Sequence, residues 1–506
     1  MSRLPLSYPL ALLVAVAAVL PVLVLFNLSA PLDGVLSGRN LSLVFNTVAL
    51  TACTVVGSLL IGVPLALLTA CVQLPGARLW LVLLAAPLAM PSYIGAFACF
   101  AAFGPGGELS ELFGVELPTV TGLIGASLVM TLYTYPYVLL TTRAAVLSQD
   151  GNLVNAARTL GMSLPACLWR VVLPRARNGI AAGALLAALY ALSDFGTPAI
   201  MGLDTFTRMI YVEYNAFGLA QSALLSLQLL VIVALVLFLE SRVGVTAERP
   251  GRSLLLWPKT RHVWLAVLFV APVVLMALML PLAIFGLWLV REGAEGFQWA
   301  YAWNSAHASL LAALTAVVIA LPVAFAAIAG RFGRLMERVT YLGFGIPGIV
   351  MGTALVYIGL QLPFIYQTLA LLVIAYVLRF LPLAVGSVRS TSESLDGSLV
   401  KAARVLGAGP RETFFRVTLP LTRRGIIAGA ALVFLESMRE LPATLLLAPI
   451  GFETLATYLW RVYEAGYFGR AAVPGLLLVL LSCLGVFLML VGERRDEFGV
   501  FEDSRD

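Results

Sequence analysis

Two acids 246 residues apart, Asp194 and Glu440, stand inside runs of sequence that are otherwise apolar. An ionised carboxylate within lipid costs at least ~2.5 kcal/mol, so both are expected to face a bundle interior or water, about four turns into their helices. Glu436 lies one turn before Glu440 and can pair with Arg439; at the same offset its counterpart is Tyr190. Carboxylates and a phenolate are the hard oxygen donors that a hard metal cation accepts. Tyr190, Asp194, Glu436, Arg439 and Glu440 are therefore the candidate lining of a pathway, with Asp194 and Glu440 as transient metal ligands. The same acids also suit a structural task, capping or locking the helix breaks that Gly196-Thr197-Pro198 and Leu441-Pro442 suggest.

Other chemistry has little material. The five cysteines form no CxxC and read as small apolar residues, and His262 and His307 stand alone, which excludes a histidine-based zinc site. The chain's lysines are Lys259 and Lys401, and neither follows a GxxxxGK[ST] phosphate loop, so no nucleotide or other cofactor is expected on this chain. No nucleophile with a paired base appears, which leaves a membrane enzyme unsupported.

The elements that must position these residues follow from composition. A chain of 506 residues, 61% hydrophobic and 11% charged, lacks the polar residues to cover a soluble surface. Twelve apolar runs are long enough to span a bilayer, with cores near 9–28, 43–72, 80–104, 118–142, 178–200, 221–241, 264–290, 304–330, 336–360, 366–388, 425–448 and 472–491. They are rich in Leu, Ala and Val without alternation, so they predict an all-α membrane protein rather than a barrel. The first run is expected to stay as a span rather than to be cleaved as a signal peptide. Arginines gather after the fourth and sixth runs and at the equivalent places later, which puts those loops and both termini in the cytoplasm. The net charge of +6 is mostly this sidedness and implies no nucleic acid.

A repeat organises the whole. "NAARTLGMSLPACLWRVVLP" at 155–174 nearly recurs as "KAARVLGAGPRETFFRVTLP" at 401–420, and from Asp150 to Gly183 about half the residues match at the 246 offset. With small gaps Pro91 meets Pro347, Asn46 meets Asn304 and Pro64 meets Pro322. The chain thus divides into residues 1–245, a cytoplasmic linker 246–262 and residues 263–506, two homologous halves of six helices that run parallel because six is even. Each copy of the repeated stretch reads as a short helix, a break at glycine and a second amphipathic piece ending at Leu-Pro, lying along the cytoplasmic surface. An ordinary interfacial helix accounts for one copy but not for the fixed spacing in both.

The pattern Ala-Ala, three residues, Gly, then Leu-Pro resembles the cytoplasmic signature loop of binding-protein-dependent ABC importer permeases. That resemblance implies the type I importer permease fold and makes the loop a coupling helix docked on a separate ATPase, with small residues permitting close approach. Ala156, Ala157 and Gly161, and Ala402, Ala403 and Gly407, match; Asn155 and Lys401 stand where the family usually carries an acid. Two loops imply two ATPase copies, which hold the ATP and magnesium, with an extracytoplasmic substrate-binding protein and the bacterial inner membrane as further partners. The fused format, "ALSDFGTPAIMG" and "SMRELPATLLLAPIGFETLATYLW" resemble ferric-iron permeases. Thiamine, polyamine and phosphonate permeases share the loop and stay open, as does a twelve-helix secondary transporter, which gives no reason for twin loops.

Overall fold

The computed structural model describes residues 7–29, 38–72, 76–242, 260–393 and 397–482, and among these the regular elements are helices. The expected linker falls almost wholly outside these residues, as do Lys259, Cys483 and the end of the run at 472–491.

In the first half α1 (Ser7–Leu28) and α2 (Gly38–Cys71) are followed by α3 (Ala77–Ala85), α4 (Ser92–Phe103), α5 (Glu108–Phe113) and α6 (Gly122–Leu147). The repeated stretch supplies α7 (Asn152–Thr159) and α8 (Leu164–Cys167), and the half closes with α9 (Leu173–Ser193), α10 (Gly196–Ile200), α11 (Phe206–Asn215) and α12 (Leu219–Ser241). The second half repeats the plan. After α13 (Thr260–Val274) and α14 (Leu280–Glu292) come α15 (Trp299–Ala329), α16 (Arg331–Gly345), α17 (Gly348–Gln361) and α18 (Leu369–Glu393). Then follow α19 (Gly397–Val405), α20 (Pro410–Thr413), α21 (Leu419–Met438), α22 (Pro442–Leu447), α23 (Leu455–Glu464) and a last apolar helix, Phe468–Ser482.

Eight of these helices are long and apolar enough to cross a bilayer, and ten if two bent pairs each count as one span. These agree with the all-α permease fold expected from about twelve apolar runs, of which the last, 472–491, lies partly outside the described residues. The runs at 80–104 and 336–360 are broken, by 94° between α3 and α4 and by 101° between α16 and α17. Proline explains both breaks: Met90 and Ile346 precede Pro91 and Pro347 and are forced into extended backbone, ψ 133° and 122°, from which no helix continues.

A second proline effect recurs three times. The π-helical turns Leu168–Val172, Leu275–Met279 and Phe414–Thr418 each directly precede a Leu-Pro pair. A proline ring collides with the carbonyl four residues back, and a widened turn there relieves the collision while the chain stays helical.

Small residues let the spans approach. Gly62 in α2 faces Val138 and the Tyr135 carbonyl of α6, where an added methyl has no room, and Ser58 and Thr134 share a 2.8 Å hydrogen bond across the same seam. In α15 the buried Ala308, Ala312, Ala316 and Ala320 form one stripe along the contact with α18 and α21. The halves are interleaved: α1 packs on α15 and α16 of the second half, while α13 and α14 pack on α3 and α4 of the first.

Candidate functional site

Where α9 and α21 stop, the chain makes the two breaks that position the acids. Asp194 follows the last residue of α9, and Glu440 lies two past the end of α21. Both acids stand at helix ends, immediately before the breaks that Gly196-Thr197-Pro198 and Leu441-Pro442 suggested. Each carboxylate accepts the orphan N–H groups of the helix that restarts beyond it. Asp194 Oδ2 accepts the Thr197 N–H at 3.1 Å, and Glu440 accepts those of Ala443 at 3.1 Å and Thr444 at 3.0 Å, with the Thr444 hydroxyl at 2.9 Å. The capping reading of these acids is what the geometry contains.

The remaining lone pairs separate the halves. Asp194 Oδ1 accepts the Ser92 hydroxyl at 2.8 Å, from the first turn of α4. In the second half the residue aligned with Ser92 is Gly348, and the vacated space holds the Arg379 guanidinium, whose Nη1 lies 2.5 Å from Glu440 Oε1. A Cβ on Gly348 would collide with both members of that pair. Arg379 comes from α18, where at the 246 offset α6 carries Tyr133. Glu440 is 4% exposed and its oxygens are shared among four donors. Among the described residues no three His, Cys, Asp or Glu side chains gather to hold a metal ion. The pairing of Asp194 with Glu440 as metal ligands therefore has no preassembled ligand cluster here.

Arg439 joins the halves. It forms an ion pair with Glu436, one turn back on α21, and its Nη1 donates to the carbonyls of Leu88 at 3.0 Å and Ala89 at 2.9 Å, in the 3-10 turn that ends the first arm of the broken span. The Tyr93 hydroxyl in turn donates to the Arg439 carbonyl at 3.3 Å. Tyr190, Asp194, Glu436, Arg439 and Glu440 all line one cavity of about 100 Å³ at this seam, room for a few water molecules. Arg379 lines it too. Sequence reading passed over this residue, although a lone arginine in the apolar run 366–388 was a visible signal.

The repeated stretch folds alike in both halves. In the first, Gly161 takes φ +86° and its N–H bonds to the Arg158 carbonyl while that of Met162 bonds to Ala157; in the second, Gly407 takes φ +89° with the matching bonds from Gly407 to Arg404 and Ala408 to Ala403. These are Schellman caps, which need a left-handed residue and so fix glycine at both places. Asn155, Ala156, Gly161, Lys401, Ala402 and Gly407 are exposed, whereas Ala157 is buried and Ala403 half-buried. The inward face is anchored: Val154 and Ala157 of α7 pack with Cys71 of α2, Val146 of α6, and Val172 and Ala176 at the root of α9. Sequence reading missed the outward side. Leu160 and Leu406 are 86% and 87% exposed, and Trp169 and Phe415 are 74% and 63% exposed, each pair at the 246 offset. Apolar side chains held out twice at equivalent positions mark a surface made to be covered.

Comparison with known proteins gives a family and relatives. The family described as binding-protein-dependent transport system inner membrane component matches twice, over residues 62–244 and 316–495. The chain is 30% identical to the Fe(3+)-transport system permease protein FbpB 2 of Haemophilus influenzae, over 89% of this chain and 90% of that one. Shorter matches include the molybdenum transport system permease protein ModB of Escherichia coli, 35% identical over 28% of this chain and 70% of that protein. The spermidine/putrescine transport system permease protein PotB of H. influenzae is 36% identical over 27% of this chain and 54% of its own length.

Proposed function

The chain belongs to the family of binding-protein-dependent transport system inner membrane components, and from that premise we propose that it is the fused permease of an ATP-driven importer of ferric iron. Membership removes the secondary-transporter alternative. The substrate is handed over by an extracytoplasmic binding protein, two copies of an ATPase dock on α7 and α19 from the cytoplasm, and both termini lie on that side.

The observation that carries the reading is the charge of the seam cavity. Asp194, Glu436 and Glu440 face it against Arg379 and Arg439, so the acids are in surplus. A surplus of carboxylates in a low-dielectric setting favours a cation and disfavours an oxyanion such as molybdate. Among cations, hard oxygen donors suit a trivalent metal, and the relative matched over most of its length carries Fe(3+) in its name. In this reading the guanidinium groups hold two carboxylates until the halves part, and the entering cation takes their place. Asp194 receives its bonds from neutral donors alone, Ser92 and Thr197, so its charge is the one a cation meets without displacing an arginine.

In operation ATP binding draws the two ATPase copies together, α7 and α19 follow, and the packing of α7 with the root of α9, and of α19 with the turn Phe414–Thr418 that leads into α21, carries the motion to the breaks where Asp194 and Glu440 sit. Uptake of radiolabelled ferric iron, putrescine and molybdate by proteoliposomes holding the full complex tests the reading. ATP-dependent iron accumulation, at least tenfold lower in Asp194→Asn, is the expected result, on the order of the 1.4 kcal/mol that separates a charged from a neutral contact. Putrescine uptake without iron uptake sinks the metal and leaves the permease.

A further inference from the structure

A second polar recess lies away from the seam, at the end of the second half that the arginine distribution places in the cytoplasm. Arg334, Glu337, Arg338 and Tyr341 of α16, with Arg389 of α18, line a cavity of about 330 Å³. Glu337 is 2% exposed; its Oε2 accepts from Arg389 Nη1 at 2.6 Å, and its Oε1 is buried with no hydrogen-bond partner. Arg389 also pairs with Glu393 at 2.8 Å. Arg334 and Arg338 are exposed, one helical turn apart, and have no ion-pair partner among the described residues. Tyr341 lies against α18 at Gly386, where a Cβ would come within 3.2 Å of its hydroxyl.

The first half shows that the fold does not need this cluster. In the register that aligns Pro91 with Pro347, Leu81, Val82 and Ala85 replace Glu337, Arg338 and Tyr341; at the 246 offset Leu140 replaces Gly386, while Arg143 matches Arg389. The twin half keeps arginines at the positions of Arg334 and Arg389, as Arg78 and Arg143, but does without Glu337, Arg338 and Tyr341, and three polar groups added round one recess are a site rather than scaffolding.

We propose that this recess binds the phosphate of a phospholipid headgroup that also carries a hydrogen-bond donor. Two guanidinium groups without carboxylate partners present forked donors matched to phosphate oxygens, and the buried, unpartnered Oε1 of Glu337 at the recess wall is an acceptor for a headgroup hydroxyl or ammonium. The lipid source follows from the same face of α16: Leu335 and Leu342, three residues before and four after Arg338, are 56% and 43% exposed, so acyl chains have apolar surface beside the cations. A free phosphate has no use for that surface. Because α18 ends at Glu393, four residues before α19 begins at Gly397, a headgroup bridging α16 and α18 braces the root of one docking loop. The inference is independent of the substrate and is tested by a readout other than transport.

The test titrates the full-length chain in detergent with fluorescent short-chain phosphatidylglycerol, phosphatidylcholine and, as competitor, inorganic phosphate. Phosphatidylglycerol is expected to bind, and phosphatidylcholine, with the same phosphodiester but no donor and no net charge, to bind at least tenfold more weakly. Arg334→Gln/Arg338→Gln lowers the phosphatidylglycerol affinity about 30-fold, on the order of fivefold per arginine, while Arg331→Gln outside the recess leaves it unchanged. Both target arginines are exposed and unpaired, so their loss leaves the fold intact. Equal affinity in the double variant, or equal binding of phosphatidylcholine, overturns the site. Inorganic phosphate that displaces the lipid at millimolar levels and depends on the same arginines overturns the headgroup assignment.

Discussion

Arg439→Gln is the most informative single change, because this side chain holds Glu436 and also binds two carbonyls of the opposite half. A hydrogen bond to a charged group contributes about 1.5–3 kcal/mol when buried. Arg439 keeps 17% of its side chain exposed and Glu436 28%, so water replaces part of what is lost, and about 2 kcal/mol for the two cross-half bonds together is a fair working value. Stranding Glu436 adds about 1 kcal/mol, giving ~3 kcal/mol, the lower end for breaking a buried pair. If the halves part at this seam during transport, the loss falls on the state in which the bonds exist, and ~3 kcal/mol moves the equilibrium between states about 150-fold. ATP hydrolysis by the reconstituted complex without binding protein should therefore rise, and the thermal midpoint in detergent should fall. Glu436→Gln/Arg439→Gln removes the stranded charge as well. It should recover about 1 kcal/mol of stability and leave the basal ATPase raised, because the links to Leu88 and Ala89 are still missing. A double variant whose basal ATPase returns to the wild-type level refutes the reasoning, since the stranded carboxylate and not the lost cross-half bonds was then responsible.

Two further outcomes follow from the same geometry. Leu160→Asp with Leu406→Asp should abolish co-purification of the ATPase, because each buried leucine is worth about 1.5–3 kcal/mol and a charge in its place is worse; Leu160→Asp alone should leave one docked copy, countable by native mass spectrometry. Gly348→Ala puts a methyl group into the Arg379–Glu440 pair and should destabilise the protein by about 1–3 kcal/mol, whereas Ser92→Ala at the aligned position removes one hydrogen bond and costs about 1 kcal/mol. Unchanged stability of Gly348→Ala in thermal unfolding contradicts the close approach.

Much of this was legible in the residues. Apolar length gave the helices, and repetition at a fixed offset gave the two copies of the repeated loop, since a left-handed cap admits little besides glycine and therefore recurs. Pathway candidates could be picked out because charge in an apolar run is expensive enough to be retained only for a reason. What stayed hidden is where continuity fails. Hydropathy sums over a window and does not register that Pro91 and Pro347 turn the chain through a right angle, or that α9 and α21 stop short of the acids they carry. Partners were hidden for a related reason. Glu440 was matched to its helical neighbourhood, but its guanidinium comes from Arg379, 61 residues away on another helix, through a gap that Gly348 leaves open.

The two breaks solve one problem in two ways, and the difference bears on how the chain works. Both need an acid to hold the N–H groups of the restarting helix, and that acid retains lone pairs that must be satisfied in a region poor in water. In the first half a hydroxyl on α4 supplies a neutral donor, so Asp194 is held without a guanidinium. In the second half glycine clears the way for a guanidinium, so the charge of Glu440 is neutralised, and Arg439 does the same for Glu436. Two identical chains cannot make this division, because each break would then carry the same donor. Joining the halves in one polypeptide lets one break hold its acid with neutral donors at the cavity while the other fastens the seam through arginine, and the substitutions Ser92 to Gly348 and Tyr133 to Arg379 are the residues through which the two acids come to differ.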